Sequence, residues 1–403
     1  MAVMNALVIG GGLQGKAVVH DLSQSSLIEQ ITVVDIDLSS IQSFLKQGHY
    51  PKVKTLEANA LEPNVLARLI RDSQSHIVVC MLPADLSKPV AEACVEAGVP
   101  FVNTSYAHWL EGLDEPAKKK GVLLLPEMGF DPGVDLILAR IALDELDVVE
   151  GFYSYGGGIP EKAACDNPLN YKITWTFDGV LKAYVRPARL LRNGKPVEIP
   201  GTEIFEEENI HTIEVPDVGR LEAYPNGDAT HFIGIFNLNE SPDLREMGRF
   251  ATRWPGHCAF WRVMVKLGFL EDSPVRLEDK CTISPRRFLV KFLEPRLQFK
   301  ENERDIALLR IKVWGKKEKR PRTAIYDLIH YRDPKTGLFA MNCAVGFTAS
   351  IGAQMILEGA VSGSGILSPI RAVDGRRFLD ELKRRGFKVD RRVEEGMPNA
   401  ASE

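Results

Sequence analysis

Cysteine is scarce in this chain and scattered. The six residues at 80, 94, 165, 258, 281 and 343 show no C-x-x-C spacing, which excludes a disulfide framework and predicts free thiols, most of them in or near a core. The eight histidines form no H-E-x-x-H and no close cluster, so no metal site is predicted. No run approaches the roughly eighteen consecutive apolar residues of a membrane-spanning helix. The opening MNALVIG lacks the basic n-region and cleavage site of a secretory leader, which predicts a cytoplasmic protein away from membranes. A formal charge of -4, with 26% charged residues, leaves no basic excess to neutralise a nucleic-acid backbone. Nucleic acid is therefore not an expected partner. The one basic run, KKEKRPR from Lys316 to Arg322, reads as a solvated hairpin tip that keeps a sheet edge soluble.

What is present starts at the first strand. ALVIGGGLQGKAVVHDL followed by ITVVDID reads as a buried strand, a glycine turn, a helix and a second strand ending in an acid. Gly10, Gly12 and Gly15 have G-x-G-x-x-G spacing, and Asp35 lies twenty residues beyond Gly15. In a dinucleotide-binding turn, the first glycine allows the tight bend and the second lets the backbone approach the pyrophosphate. The third brings the helix close to the sheet, so that free helix N–H groups face the anion. Leu13 and Gln14 complete this loop, and Leu82 and Pro83, ending the strand HIVVC, are expected beside the nicotinamide. Asp35 is placed to accept from ribose hydroxyls, and DIDLSS offers no arginine or lysine to meet a 2′-phosphate. The loop therefore favours NAD over NADP.

Apolar runs alternate with helical patterns through the first third of the chain, as a parallel sheet covered on both faces requires. After Leu146 the rhythm changes to strand-like segments: VVEGFYSYGGG, YKITWTF, HTIEVP, FLVKFLEP, DIALLRIKVWG and RTAIYDLIHY. These predict a mixed or antiparallel sheet. The expected fold is α/β, an N-terminal Rossmann dinucleotide-binding domain with a second α+β domain built on a mixed sheet. Residues 1–130 form the first domain, 131–345 a substrate and dimerisation domain, and 346–403 helices returning to the N-terminal domain.

The fifth strand ends in Asn103, Thr104, Ser105 and Tyr106, and Glu127 and Asp131 flank the turn that follows the next strand. Asp131 is the first candidate to hold or relay a proton, with a helix-capping role as the alternative. Tyr106, a better donor than base, is second. Arg253 either grips a carboxylate with two N–H groups or covers the neighbouring Trp254 ring. Lys172 attracts a carboxylate or lies outward on an alternating strand.

The chain resembles the saccharopine dehydrogenase family, especially its glutamate-forming branch. The matching segments are GGGLQG at 10–15, ACVEAGVPFVNTSY at 93–106, GFDPGVD at 129–135, the stretch from YSYGGG to FDGVL at 153–181, LEAYPN at 221–226, TRWPGH at 252–257, the long stretch from WGKK at 314 to ILEG at 359, and GILSP at 365–369. The resemblance implies NAD(P)-dependent oxidation of a secondary amine, saccharopine, to L-glutamate and 2-aminoadipate semialdehyde, by a homodimer acting on a small amino-acid substrate. It also implies that Ser105, Tyr106, Asp131, Gly156, Gly157 and Trp175 surround the substrate. Relatives acting on lysine or carboxynorspermidine are alternatives, as is a non-catalytic dinucleotide-binding protein. One departure stands out: many relatives carry arginine after Tyr-Pro-Asn, and this chain has Gly227. Arg186, Arg249 or Arg253 is then left to grip a substrate carboxylate, unless the substrate lacks that group.

Overall fold

The computed structural model describes residues 4–239, 241–278 and 282–396. Cys281 and residues 397–403 lie outside them. The described chain forms two compact units, one of residues 4–138, 333–338 and 342–387, the other of 139–332, 339–341 and 388–396.

Strands β1 (Met4–Ile9), β2 (Ile28–Asp35), β3 (Val53–Glu57), β4 (Ile77–Cys80), β5 (Phe101–Asn103) and β6 (Leu123–Leu125) build the first unit's sheet. They pair in parallel in the order β6-β5-β4-β1-β2-β3, with a short strand Gly365–Ile366 beside β6. Leu7, Ile9, Val34, Val78, Phe101 and Leu124 are buried under the flanking helices, which explains why these strands read as continuous apolar runs. The strand order reverses between β1 and β4. Such a switch point leaves a crevice at the carboxyl ends of the strands, where ligands bind in this architecture.

Helix α1 (Leu13–Gln24) follows β1. The helix Ala340–Leu357 is long and apolar enough to cross a membrane, yet 78% of it is buried, and within the first unit it lies directly against α1. A Cβ on Gly346 would stand only 2.6 Å from that of Ala17. Asp21 of α1 accepts from Ser350 Oγ (2.6 Å), Gln354 Nε2 (3.1 Å) and Arg385 Nε (2.6 Å). A buried carboxylate satisfied this fully ties the late segment in place.

The second unit is built on β7 (Val148–Pro160), β8 (Ala188–Arg192), β9 (Lys195–Ile199), β10 (His211–Val215), β11 (Gly219–Pro225), β12 (Glu246–Arg253), β13 (Asp305–Lys317), β14 (Arg320–Tyr331) and β15 (Lys388–Glu395). Its main path runs β10-β11-β12-β7-β13-β14-β15, and β8 joins β12 and β9. The β7–β12 pair is parallel and the others antiparallel, so the sheet is mixed. Arg310 and Asp327, opposite each other on β13 and β14, form a buried two-point ion pair, Nε–Oδ1 2.6 Å and Nη2–Oδ2 3.0 Å. The basic run lies at the β13–β14 turn, where Glu318 and Lys319 take positive φ and Lys317 pairs with Asp147.

Three segments differ from expectation. YKITWTF is not a strand: Asn167 accepts from Leu169 N and Tyr171 N and donates to Tyr171 O, which holds the chain by side-chain bonds in place of a ladder. FLVKFLEP lies in a helix, Pro285–Leu293, started by Ser284 accepting from Arg287 N and by proline in the first turn, a capping arrangement that outweighs the local strand propensity. Of the C-terminal stretch expected as helices, residues from Lys388 form β15, paired with β14.

Asp305 at the start of β13 accepts from Ala340 N (2.7 Å) and Met341 N (3.1 Å). Burial pushes its carboxyl up to about 6 in spite of these donors. Because the folded value exceeds the ordinary carboxylate value of about 3.9, folding binds a proton. The associated stability is present in full below about pH 4 and is lost as pH rises through 6. Denaturant unfolding of wild type and Asp305→Asn across that range should show a pH-dependent difference of about 3 kcal/mol; parallel curves would reject the assignment.

Candidate active site

The crevice of the first unit opens at Gly10, which sits at φ +100°. Beside it Met81 N donates to Ile9 O at 2.7 Å, and a Cβ on Gly10 would meet Met81 backbone atoms at 3.1 Å. Leu82 and Pro83 are thereby set next to the glycine loop. A Cβ on Gly15 would fall 2.0 Å from Gly10 O, whereas one on Gly12 would meet nothing within 4 Å. The third glycine thus closes the helix onto the loop, and the second leaves open space at the amino end of α1. No side chain caps α1 and its first turn has no acid, so its leading N–H groups are available to an anion. These residues fit a dinucleotide pyrophosphate.

Asp35 at the end of β2 accepts from Gly11 N through Oδ2 (2.6 Å) and from Asp37 N through Oδ1 (3.2 Å). Its carboxylate braces the glycine loop. Asp35→Ala should weaken dinucleotide affinity by ~10-fold, the worth of a charged hydrogen bond, with the unfolding midpoint little changed. Calorimetric titration checks this, and an unchanged Kd removes Asp35 from the site.

Further along the same rim, Glu127 N donates to Ser105 O and Met128 N to Asn103 O, both at 2.9 Å. The ends of β5 and β6 are thereby zipped together, and Ser105, Tyr106 and Glu127 share one neighbourhood. The 129–133 loop closes on itself through Gly129 N to Pro132 O (3.0 Å) and Val134 N to Gly129 O (3.0 Å). Space for a Cβ on Gly129 is taken by Thr104 O at 3.0 Å, so the loop carrying Asp131 lies against the end of β5. The side chain that closes the start of helix Val134–Leu143 is Asp135, whose Oδ1 accepts from Gly133 N at 2.7 Å. Asp131, half-buried, does not make that bond.

Glu127 is the member of this group to which sequence reasoning assigned no role. It is buried, at φ +61°, and its Oε1 accepts from Ala107 N at 3.1 Å. Burial raises its carboxyl above the ordinary range, with the Ala107 hydrogen bond opposing. Its signal in the sequence was an acid directly after the wholly apolar VLLLP, a place where solvation is lost.

In the second unit, register sets which groups share a face. Arg249 lies opposite Ser154 and Ala251 opposite Gly156, so Arg249, Ala251 and Arg253 point to the same side of the sheet as Gly156. Gly157 points to the other side, where its Cβ space is filled by Thr252 Oγ1 at 2.3 Å. The two glycines expected at the substrate thus face opposite ways. Trp175 is half exposed and its ring lies over Gly179.

Arg253 does not cover Trp254. Its guanidinium sits 5.4 Å over the Tyr171 ring and donates to Thr252 O at 2.8 Å, while Lys162 covers Trp254 at 4.8 Å. The fields of Tyr224, Tyr184 and Tyr171 favour its cation against burial. His257, bonded to Tyr184 Oη at 2.7 Å, is held well below its usual value by burial and by Arg253. Lys172 is neither outward nor open. It is 2% exposed and bonds Asp166 at 2.9 Å and Glu303 at 2.6 Å. Among the described residues no cluster of His, Cys, Asp or Glu could hold a metal.

Comparison with known proteins places these features. Residues 6–125 match the family model described as "Saccharopine dehydrogenase NADP binding domain", and residues 129–387 that described as "Saccharopine dehydrogenase C-terminal domain". The chain is similar to "Saccharopine dehydrogenase [NADP(+), L-glutamate-forming]" of Pyricularia oryzae, 25% identical over 95% of this chain and 97% of that protein. It is also similar to "Carboxynorspermidine synthase" of Vibrio alginolyticus, 23% identical over 94% of each. The apo saccharopine dehydrogenase (L-Glu forming) structure from Saccharomyces cerevisiae superposes with a TM-score of 0.85 over 97% of this chain and 100% of that one, at 22% identity, a likeness of fold.

The expected preference for NAD is corrected by these matches. The model matched by the nucleotide-binding residues is an NADP one, and the fungal relatives are named for NADP(+). In the structure the Asp35 carboxylate, read from the sequence as a ribose ligand, also accepts from Gly11 N and Asp37 N.

Proposed function

The chain belongs to the saccharopine dehydrogenase family, and on that premise we propose that it oxidises the secondary amine of saccharopine with NADP, giving L-glutamate and 2-aminoadipate semialdehyde. The observation that carries this reading is the uncapped amino end of α1 above an open Gly12, in a chain that matches both family domains in order. Gly10, Gly12, Leu13, Gln14 and Gly15 would hold the pyrophosphate, with Leu82 and Pro83 beside the nicotinamide. Bound NADP supplies the hydride acceptor.

The chain's own work is on protons and orientation. Forming a carbon–nitrogen double bond requires the amine to lose its proton, and Asp131 is the residue assigned to take it. The Tyr106 hydroxyl donates to the nitrogen or to the incoming water. Glu127 is a positioning residue, since it holds Ala107 N and with it the turn that carries Tyr106. Water then adds to the imine carbon, and the C–N bond breaks. Ser105 contributes to the substrate surface beside Asp131 and Tyr106, and in the second unit Arg253 lies over the Tyr171 ring.

The assay is NADPH formation with saccharopine and detection of glutamate. Active, NADP-binding protein that yields neither sinks the reading. A second reading, a carboxylated polyamine as substrate, is favoured by Gly227 and by the similarity to the Vibrio protein, and is separated in the same assay by supplying carboxynorspermidine. We carry forward as proposals a homodimer, to be checked by light scattering, and a cytoplasmic location.

A further inference from the structure

We propose that the second unit carries a binding site for a dipolar amino acid with an apolar side chain, in a cavity on the sheet face that bears Glu246, Tyr153 and Lys312. The cavity measures about 440 Å³, within the span of small-molecule sites, roughly 300–1,000 Å³. All of its lining residues belong to the second unit. It is therefore separate from the glycine loop and from the rim that carries Asp131.

Register builds the floor. On β7, Gly151 lies between Glu246 of β12 and Trp314 of β13, Tyr153 between Gly248 and Lys312, and Tyr155 between Phe250 and Arg310. Residues that are opposite one another, or two apart on a strand, share a face, so Glu246, Phe250, Tyr153, Lys312 and Trp314 rise on the same side. Two glycines make room for the rings on that side. The space of a Cβ on Gly151 is taken by the Trp314 ring at 2.0 Å, and that on Gly248 by the Phe250 ring at 2.4 Å. Both rings meet Tyr153 edge-on, with centroids 4.9 and 5.2 Å away. The floor is thus aromatic and suits an apolar side chain.

Charges of both signs stand around it. Glu246 accepts from Asn193 N through Oε1 (2.8 Å) and from Tyr153 Oη through Oε2 (3.1 Å). Both donors are neutral, and a carboxylate has about four lone-pair positions, so it retains capacity for an ammonium group. Lys312, 5% exposed, rises on the far side of β7. Its ammonium has three N–H donors, so a partner within the protein leaves others for a carboxylate. With strands ~4.8 Å apart, β12 and β13 lie about 10 Å from each other across β7, a gap the two side chains bridge with one small dipolar ligand between them. Arg192 and Glu208 also line the cavity and add one charge of each sign. A simple cation or anion would meet a like charge there, whereas a dipolar ligand sets each end beside its opposite.

The test uses the full chain and three probes: L-phenylalanine, which has both charges and a ring, phenethylamine, which lacks the carboxylate, and 3-phenylpropionate, which lacks the ammonium. Saturation-transfer NMR titrations compare wild type, Glu246→Gln and Lys312→Met. L-phenylalanine should bind ~10-fold tighter than either half, the worth of a charged hydrogen bond. Glu246→Gln should weaken L-phenylalanine and phenethylamine by ~10-fold and leave 3-phenylpropionate unchanged. Lys312→Met should weaken L-phenylalanine and 3-phenylpropionate by as much and leave phenethylamine unchanged. NADP affinity should match wild type in both variants, because no lining residue belongs to the nucleotide-binding unit.

Absence of L-phenylalanine binding to wild type, equal affinity for L-phenylalanine and either half, or affinities that neither substitution moves overturns the site. Should a variant fail to fold, seen as lost NADP binding, a wild-type crystal soaked with L-phenylalanine decides. The amino acid between Glu246 and Lys312 supports the site, and its presence only elsewhere overturns it. None of these outcomes depends on whether the chain turns over saccharopine.

Discussion

Asp131→Asn lowers kcat for saccharopine oxidation by ~100- to 10,000-fold, the range for losing a positioned general base, and leaves KM nearly unchanged. Asparagine has the shape of aspartate but cannot take a proton from the amine, so the loss belongs to the step in which nitrogen is deprotonated. Asparagine keeps the volume of the side chain, and the bonds Gly129 N to Pro132 O, Val134 N to Gly129 O and Gly133 N to Asp135 Oδ1 that close the loop are made by other groups. Steady-state kinetics with saccharopine, together with NADP titration, decide the matter. A kcat within a few-fold of wild type would transfer the base to another group, with Glu127 the next to test, because burial already raises its proton affinity.

Gly15→Ala weakens NADP binding by ~10- to 100-fold without removing the fold. The added methyl would stand 2.0 Å from Gly10 O, a contact with backbone that no rotamer relieves. Either α1 lifts from the sheet or the loop moves, and both carry the leading N–H groups of α1 away from the pyrophosphate. Overpacking of this kind costs ~1–3 kcal/mol or more, which corresponds to ~10- to 100-fold in Kd at each 1.4 kcal/mol per decade. The effect should exceed that of Asp35→Ala, which removes one brace and leaves the helix seated. Circular dichroism should be near that of wild type, and calorimetry with NADP should show the loss. Wild-type affinity in Gly15→Ala would mean that the cofactor does not rest on this turn.

The nucleotide-binding half was the most legible part of the chain because its chemistry is local. Gly10, Gly12, Gly15 and the strand before them lie within a dozen residues, and the backbone geometry they need is written in residue types. The same residues were a poor guide to cofactor choice. The acid after the second strand was read as favouring NAD, whereas the matched nucleotide-binding domain and the fungal relatives are named for NADP, and what the structure adds is that this carboxylate also accepts from Gly11 N and Asp37 N. The second unit was legible in class and misread in detail. The alternating strands β7, β13 and β14 were plain from their period, whereas FLVKFLEP is apolar enough for either element and Ser284 with Pro285 decides for helix.

By itself the amino-acid sequence determined the parallel nucleotide-binding sheet, its glycine turn and the family, since periodicity, turn chemistry and short motifs act over a few residues and do not wait for distant partners. Tertiary structure alone decided that Gly156 and Gly157 face opposite ways, that Arg253 is enclosed by tyrosines, that Glu127 is buried beside Ser105, and that Glu246 and Lys312 line one cavity from either side of β7. The physical reason is common to all four. Strand register and side-chain burial are set by pairings between segments tens of residues apart, and only when those segments close does a charged or missing side chain acquire its neighbours.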